Sequence, residues 1–163
     1  MNPFKLQKTF VLGLALAALV GCATAPPPAY EDRDRPVSAQ DLEILDKANA
    51  LLESESDWNR NDTRECPPGA RTLSLFCALQ KASIETLGSY DHRRVALQEV
   101  RFAIEDVSGG REFEHRLMDF NNHPETTFGD IRQVLAIARA KVAARLADSS
   151  LPAPGGAPKP KMQ

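Results

Sequence analysis

The chain has 163 residues, with 20 Lys and Arg against 22 Asp and Glu, and 42% of its residues are hydrophobic. This length fits one domain with tails, and a net charge of −2 argues against a nucleic-acid binder, which would carry a basic patch. No apolar run reaches the 18 residues expected of a membrane-spanning helix. Three cysteines are too few for a disulfide-dense small scaffold.

The first 21 residues are predicted to form a secretory signal peptide, in which two lysines precede the largely apolar residues 9–21. The tetrad that follows the apolar stretch, Leu19-Val20-Gly21-Cys22, resembles the lipobox of bacterial lipoproteins. The resemblance implies cleavage before Cys22 and attachment of lipid to its sulfur and new amino terminus. The alternative is an ordinary signal peptide with a coincidental cysteine.

The residue after the lipobox bears on localisation. In enterobacterial lipoproteins an Asp at this position is associated with retention at the inner membrane, whereas this chain has Ala23. The resemblance therefore implies an outer-membrane lipoprotein whose body faces the periplasm, with display on the cell surface as the alternative. Several acyl chains would anchor it stably, since each buried CH₂ contributes about 0.8 kcal/mol.

Two segments of biased composition flank the body. Residues 22–37 contain the lipidated cysteine and a Pro-rich linker, in which Pro26-Pro27-Pro28 predicts polyproline II structure. Residues 149–163 have too little apolar content to fold and are predicted to be a disordered tail. The segment between them, residues 38–148, is long enough for one hydrophobic core.

Within residues 38–148 the apolar period is helical, and no segment alternates as a strand would. The sequence predicts an all-α, bundle-like domain of four or five antiparallel helices. Ser38 and Asp41 predict a capping box for the first helix, and Gly88 is placed to end the second. The predicted helices begin at Ser38, after Gly69, at Asp91, near Glu112 and at Thr127.

Predicted helices 2 and 3 carry apolar residues on two sides, which is typical of helices buried on both faces. We therefore expect them to form the inner hairpin of the domain, joined by residues 88–90. An alternative for Val95 and Phe102, which lie opposite the main stripe of helix 3, is an exposed patch that binds a partner.

With Cys22 lipidated, Cys66 and Cys77 form an even pair in an oxidising compartment, and we expect a disulfide between them. Closing a loop of this length stabilises the fold by roughly 3 kcal/mol in the chain-entropy model. Metal binding by two free thiols is the competing interpretation, although the spacing matches no common zinc motif.

The segment Asp91-His92-Arg93-Arg94 is the first candidate contact site. It lies at the start of predicted helix 3, where cations oppose the helix dipole. His92, Arg93 and Arg94 could therefore form an anion or partner site, which Arg111 and Arg116 could extend. The alternative is that the arginines pair with nearby carboxylates such as Glu85 or Asp119.

Trp58 lies in the polar segment of residues 56–65 and is the only tryptophan of the chain. It could cap the edge of the core, as its size and amphipathic ring favour. It could instead be an aromatic anchor for a partner, a role in which tryptophan is common.

A weak metal-site candidate is formed by His115, Asp119 and His123. Their i, i+4, i+8 spacing would place them on one face of a continuous helix, and they are residue types that bind divalent metals. Pro124 argues against this, because the residue before a proline avoids the helical region.

No nucleophile elbow, phosphate loop, zinc motif or calcium loop is found in the sequence. We therefore expect a protein that is not an enzyme and needs no cofactor: a lipid-anchored periplasmic envelope protein acting as a small helical binding or assembly module. Its expected partners are the membrane, through the lipid on Cys22, and an envelope protein, with no nucleic acid. Alternatives are an immunity or inhibitor protein against a toxin or cell-wall hydrolase, and a metal-binding protein or enzyme.

Overall fold

The computed structural model describes residues 35–150, so the predictions for the signal peptide, for Cys22 and for most of the linker and tail lie outside the described residues. The described part contains five α-helices and no strand, which confirms the all-α prediction. No helix within it is long and apolar enough to cross a membrane. The helices are α1 (Ala39–Leu51), α2 (Leu75–Leu87), α3 (Val95–Val107), α4 (Arg116–Asn122) and α5 (Phe128–Ser150).

The long helix α5 runs antiparallel to both α1 and α3. Arg145, near the end of α5, donates to the carbonyl oxygen of Arg35 just before α1, whereas Arg132 donates to the carbonyl oxygen of Leu52 just after it. The same direction relative to α3 follows from two ion pairs, Arg145–Glu99 and Lys141–Asp106.

Helix α3 is buried along most of its length and packs mainly against α5. Val95 and Phe102 are both buried, so the alternative of an exposed partner patch on α3 is wrong. Their burial on the side opposite the main stripe agrees with a helix enclosed on two faces.

The predicted inner hairpin of helices 2 and 3 is wrong. Helix α2 packs against α1 and α4 rather than along α3, whereas α3 is buried as expected and contacts α1, α4 and α5. The second apolar side of α2 faces loops and solvent: Phe76 packs against Tyr90 in the α2–α3 turn, and Ile84 is 47% exposed. Apolar residues on two sides of a helix predict that both faces are packed against other residues. They do not show whether a helix or a loop provides that packing.

Local signals set three helix ends, of which the capping box of α1 and the glycine after α2 were predicted above. Ser38 and Asp41 form the capping box of α1, and Thr127 with Asp130 makes the same reciprocal bonds before α5. Gly88 ends α2 with φ of +75°, in the left-handed region that a residue without Cβ adopts at little cost.

Three helices begin later than predicted, and for α2 and α3 other hydrogen bonds hold the preceding residues. The Leu73 amide donates to the carbonyl oxygen of Asp57, and Ser74 then caps α2. The Asp91 carboxylate accepts from the Arg93 amide, which forms a turn that α3 follows. Helix α4 begins at Arg116 rather than near Glu112.

Candidate functional site

The predicted disulfide between Cys66 and Cys77 is confirmed, with a Cα–Cα distance of 5.4 Å. Cys77 lies in the first turn of α2 and is buried, whereas Cys66 belongs to the preceding loop. The bond therefore fixes the end of that loop to the body of the domain.

Asn121, at the end of α4, holds the other end of the same loop. Its side chain is fully buried, and its Oδ1 accepts from the Trp58 indole Nε1 at 2.8 Å and from the Leu75 amide at 3.0 Å. Its Nδ2 donates to the carbonyl oxygen of Asn59 at 3.0 Å. One amide side chain thus joins the loop to α2 and α4, and each bond satisfies a group that burial would otherwise penalise.

Trp58 lies at the edge of the core and is only 8% exposed. Its ring packs against Phe128 with the centroids 6.1 Å apart, and the Arg60 guanidinium lies 5.5 Å from its centroid. In this position the indole offers little surface to a partner. The structure therefore places Trp58 where the core-edge interpretation put it and not at an exposed contact site.

Arg64 has an unusual backbone conformation on this loop. Its φ is +63°, in the left-handed region that costs a non-glycine residue of order 1–3 kcal/mol. The conformation is held by the buried Asp62, whose Oδ1 accepts from the Arg64 amide at 2.7 Å. Asp62 is fixed in turn by two backbone bonds to the Asn122 side chain. Neighbouring groups thus fix the backbone from which the Arg64 side chain leaves the loop.

The Arg64 side chain lines a surface cleft of about 460 Å³, which we name the arginine cleft. One side of the cleft is the loop of residues 58–74, which we name the disulfide loop. The other sides are the start of α2, the α2–α3 turn, one side of α3, and the segment that leads into α4. Its lining consists of Arg64, Phe76, Tyr90, His92, Arg101, Phe113, Glu114, His115, Arg116, Leu117 and Met118.

The charge of the arginine cleft is opposite to that of the surrounding protein. The lining contains three arginines and two histidines but one carboxylate, whereas residues 35–150 carry 15 Lys and Arg against 19 Asp and Glu. Arg116 pairs with Glu105 at 2.8 Å, and Arg101 Nη1 donates to the carbonyl oxygen of His92 at 2.9 Å. The lining therefore contains more cationic than anionic side chains.

Tyr90 places a phenol among these cations. Its ring meets Phe76 edge-on, with the centroids 5.8 Å apart. Burial raises the pKa of Tyr90 above its ordinary value, and the negative charge of Asp91 adds to this, while Arg101 and, more weakly, Arg64 act in the opposite direction. A phenol is protonated at neutral pH even at its ordinary pKa of about 10, so the Tyr90 hydroxyl can donate a hydrogen bond to a ligand there.

The three residues of the predicted cluster, 92–94, do not share one site in the structure. His92 lines the arginine cleft, but Arg93 does not. Arg94 pairs with a carboxylate, as the alternative expected, but its partner is the buried Asp41 and not Glu85 or Asp119. The expectation that these cations occupy the first helical turn is also wrong, because α3 begins at Val95.

The three weak metal candidates do not converge. Helix α4 includes Asp119, while His115 and His123 flank its two ends, so the single helical face on which that candidate depended does not form. Asp119 accepts from the His115 amide at 2.7 Å, and His123 Nδ1 faces Arg111 at 3.1 Å. Within residues 35–150, no group of three or more His, Cys, Asp or Glu is arranged to hold a metal ion.

Of the two arginines expected to extend the patch, only Arg116 reaches the arginine cleft, because Arg111 pairs with Glu125 instead. The sequence analysis missed Arg64, Tyr90 and Arg101, which supply most of the donors. The signal for Arg64 was its position two residues before a bridged cysteine. Arg101 gave the weaker signal of a cation within the apolar pattern of α3.

Comparison with known proteins gives a family but no activity. The profile of a family described as a family of unknown function (DUF6197) matches residues 36–141, and the chain belongs to that family. No curated protein and no solved structure matches the chain.

Proposed function

We propose that this chain, as a member of a family of unknown function, is a non-catalytic binding or assembly module of the bacterial cell envelope. The proposal further assigns it a lipid anchor at Cys22 and a body in the periplasm, on the basis of the lipobox resemblance. The observation that carries the binding role is the arginine cleft, a cationic and aromatic surface on an otherwise acidic domain.

The composition of the arginine cleft supports recognition. Arginine forms directed, bidentate hydrogen bonds to oxyanions, and aromatic rings bury a large area with few rotatable bonds. The volume of about 460 Å³ lies within the range of ligand sites in proteins. A ligand or the side chains of a partner could therefore be held there without any chemical step.

The order of segments supports an anchored role. A Pro-rich linker separates Cys22 from α1, and at about 3.1 Å per residue it could extend roughly 45 Å from the membrane. The folded body would then reach partners beyond the immediate membrane surface.

Site-directed photocrosslinking in intact cells tests this proposal. A photoreactive residue replaces Glu114, which lines the arginine cleft, and in a matched variant it replaces Gln133, an exposed residue of α5. We expect position 114 to give an adduct of defined mass that position 133 does not give. Equal labelling at both positions, or none at position 114, would contradict the proposal.

The identity of the adduct separates the proposed role from the alternatives. A structural component of the envelope supports the assembly module. A single toxin or cell-wall hydrolase, bound stoichiometrically, would favour the inhibitor role in its place.

A further inference from the structure

We propose that the arginine cleft recognises a carboxylate carried next to an apolar group, as at the C-terminus of a peptide that ends in a hydrophobic residue. This inference rests on the proposed function, because it names the ligand class of the same site. Three features of the cleft support it: the placement of Arg64, the balance of charge, and the apolar wall.

The first feature is an arginine whose backbone is held in place and whose side chain is exposed. The Arg64 backbone is fixed by Asp62 and lies two residues before the Cys66–Cys77 bond. Among residues 35–150, no carboxylate forms an ion pair with the Arg64 side chain. A left-handed backbone at an arginine costs stability, and strained positions of this kind cluster at ligand sites. The cost is explained if the side chain serves a ligand.

Arg101 and Tyr90 supply two further hydrogen-bond donors to the same cleft. Arg64, Arg101 and Tyr90 all line the arginine cleft, so the two guanidinium groups and the hydroxyl border a common space. An oxyanion in that space would accept hydrogen bonds from several directions, and charge-assisted bonds of this type are about twice as strong as neutral ones.

The second feature is the number of charges. Glu105 pairs with Arg116, Glu114 lines the cleft, and the charge of Asp91 acts on Tyr90 from nearby, so these three carboxylates offset most of the charge of the three lining arginines. A carboxylate carries one negative charge, whereas a phosphate monoester carries about 1.5 to 2 at neutral pH. The balance therefore matches a carboxylate better than a phosphate monoester.

The third feature is the apolar part of the lining. Phe76, Phe113, Leu117 and Met118 line the same cleft as the arginines. Phe113 is itself braced edge-on by Phe120, with the centroids 6.1 Å apart. An apolar group beside the carboxylate would bury area against this wall, which a free inorganic anion could not do.

The test uses three small probes that differ in one group. N-acetyl-phenylalanine presents a carboxylate beside a ring, its amide removes only the charge, and phenyl phosphate replaces the carboxylate by a dianionic group. Binding to the purified protein is followed by nuclear magnetic resonance. We expect the acid to bind in the millimolar range or tighter, and its amide to bind about tenfold more weakly or worse.

Two variants link the binding to the proposed site. Arg64→Asn removes the guanidinium but keeps a residue type that tolerates the left-handed region. Arg71→Asn is the control, because Arg71 is also an exposed arginine of the disulfide loop but does not line the arginine cleft. We expect Arg64→Asn to weaken acid binding by about tenfold, and Arg71→Asn to leave it unchanged.

Each other outcome overturns the inference. Equal binding of acid and amide would show an apolar site without anion recognition, and tighter binding of phenyl phosphate would show a phosphate site. If no probe binds while crosslinking at position 114 still occurs, the ligand class is wrong and the proposed function stands. If crosslinking fails as well, both are wrong.

Discussion

The Asp41 carboxylate lies 2.8 Å from the Arg94 guanidinium and joins the first turn of α1 to the residue that precedes α3. The same carboxylate accepts from the Ser38 amide, within its own capping box, and from the Ala96 amide in the first turn of α3. It is 1% exposed. One buried side chain therefore caps two helices, and Arg94 balances its charge.

This relationship predicts different effects for two adjacent arginines. Arg94→Gln leaves the buried Asp41 charge without its partner and should lower the free energy of unfolding by about 1–3 kcal/mol. Arg93→Gln, the control at an exposed neighbour, should change it by less than about 0.5 kcal/mol. Urea unfolding of the two variants measures the difference, and equal effects would show that the Asp41–Arg94 pair does not stabilise the fold.

Removing the disulfide should affect both stability and binding. Replacing Cys66 and Cys77 together by Ser should lower the free energy of unfolding by roughly 3 kcal/mol, because the unfolded chain loses its crosslink. It should also weaken ligand binding in the folded protein, since the bond fixes the loop that carries Arg64. Intact-mass spectrometry of the unreduced wild-type protein should show two hydrogens fewer than the reduced form, and free thiols there would contradict the pairing.

The raised pKa of Tyr90 predicts a loss of stability at alkaline pH. The folded protein holds the phenolic proton to a higher pH than the unfolded chain, whose tyrosines titrate near about 10. The folded state therefore binds more protons in that window, and stability falls as the pH rises from about 10 through the folded-state pKa. Below that window the contribution is fully present.

Ultraviolet titration of the phenolate measures this effect. The chain has two tyrosines, so a Tyr30→Phe variant reports on Tyr90 alone. We expect its transition to lie above that of a model tyrosine peptide, and the alkaline loss of stability to be smaller in Tyr90→Phe. A transition at or below the ordinary value would contradict the burial of this phenol.

The lipobox resemblance predicts a membrane anchor at Cys22. Cys22→Ser should give a protein that is either unprocessed or released in soluble form, because several acyl chains are needed for stable attachment. Membrane fractionation with mass analysis of the amino terminus checks this. A processed Cys22→Ser protein that still fractionates with membranes would show that the anchor lies elsewhere.

Local signals in the sequence predicted those features that depend on neighbours along the chain. The pairing of Ser38 with Asp41 and the left-handed Gly88 each need only a few adjacent residues, and both are found as predicted. The Cys66–Cys77 bond joins residues 11 apart and was predicted from the count of cysteines and the expected compartment.

Features that depend on distant residues could not be predicted in this way. Arg64 lines the same cleft as Tyr90 and Arg101 only because Asn121 and the disulfide fold the loop back across the domain. Arg94 was assigned to carboxylates near it on a presumed helix, whereas its partner Asp41 lies 53 residues earlier. The apolar pattern of a helix indicates which of its faces are buried, but not which element packs against each face.

The most direct measurement of the central claim is the yield of the position-114 crosslink in cells that carry Arg64→Asn or Arg71→Asn. Removing Arg64 relieves a strained backbone, so that variant should be as stable as the parent protein or slightly more stable. The account predicts that the crosslink is lost with Arg64→Asn and kept with Arg71→Asn, at equal protein levels. An undiminished crosslink in the Arg64→Asn protein would contradict it.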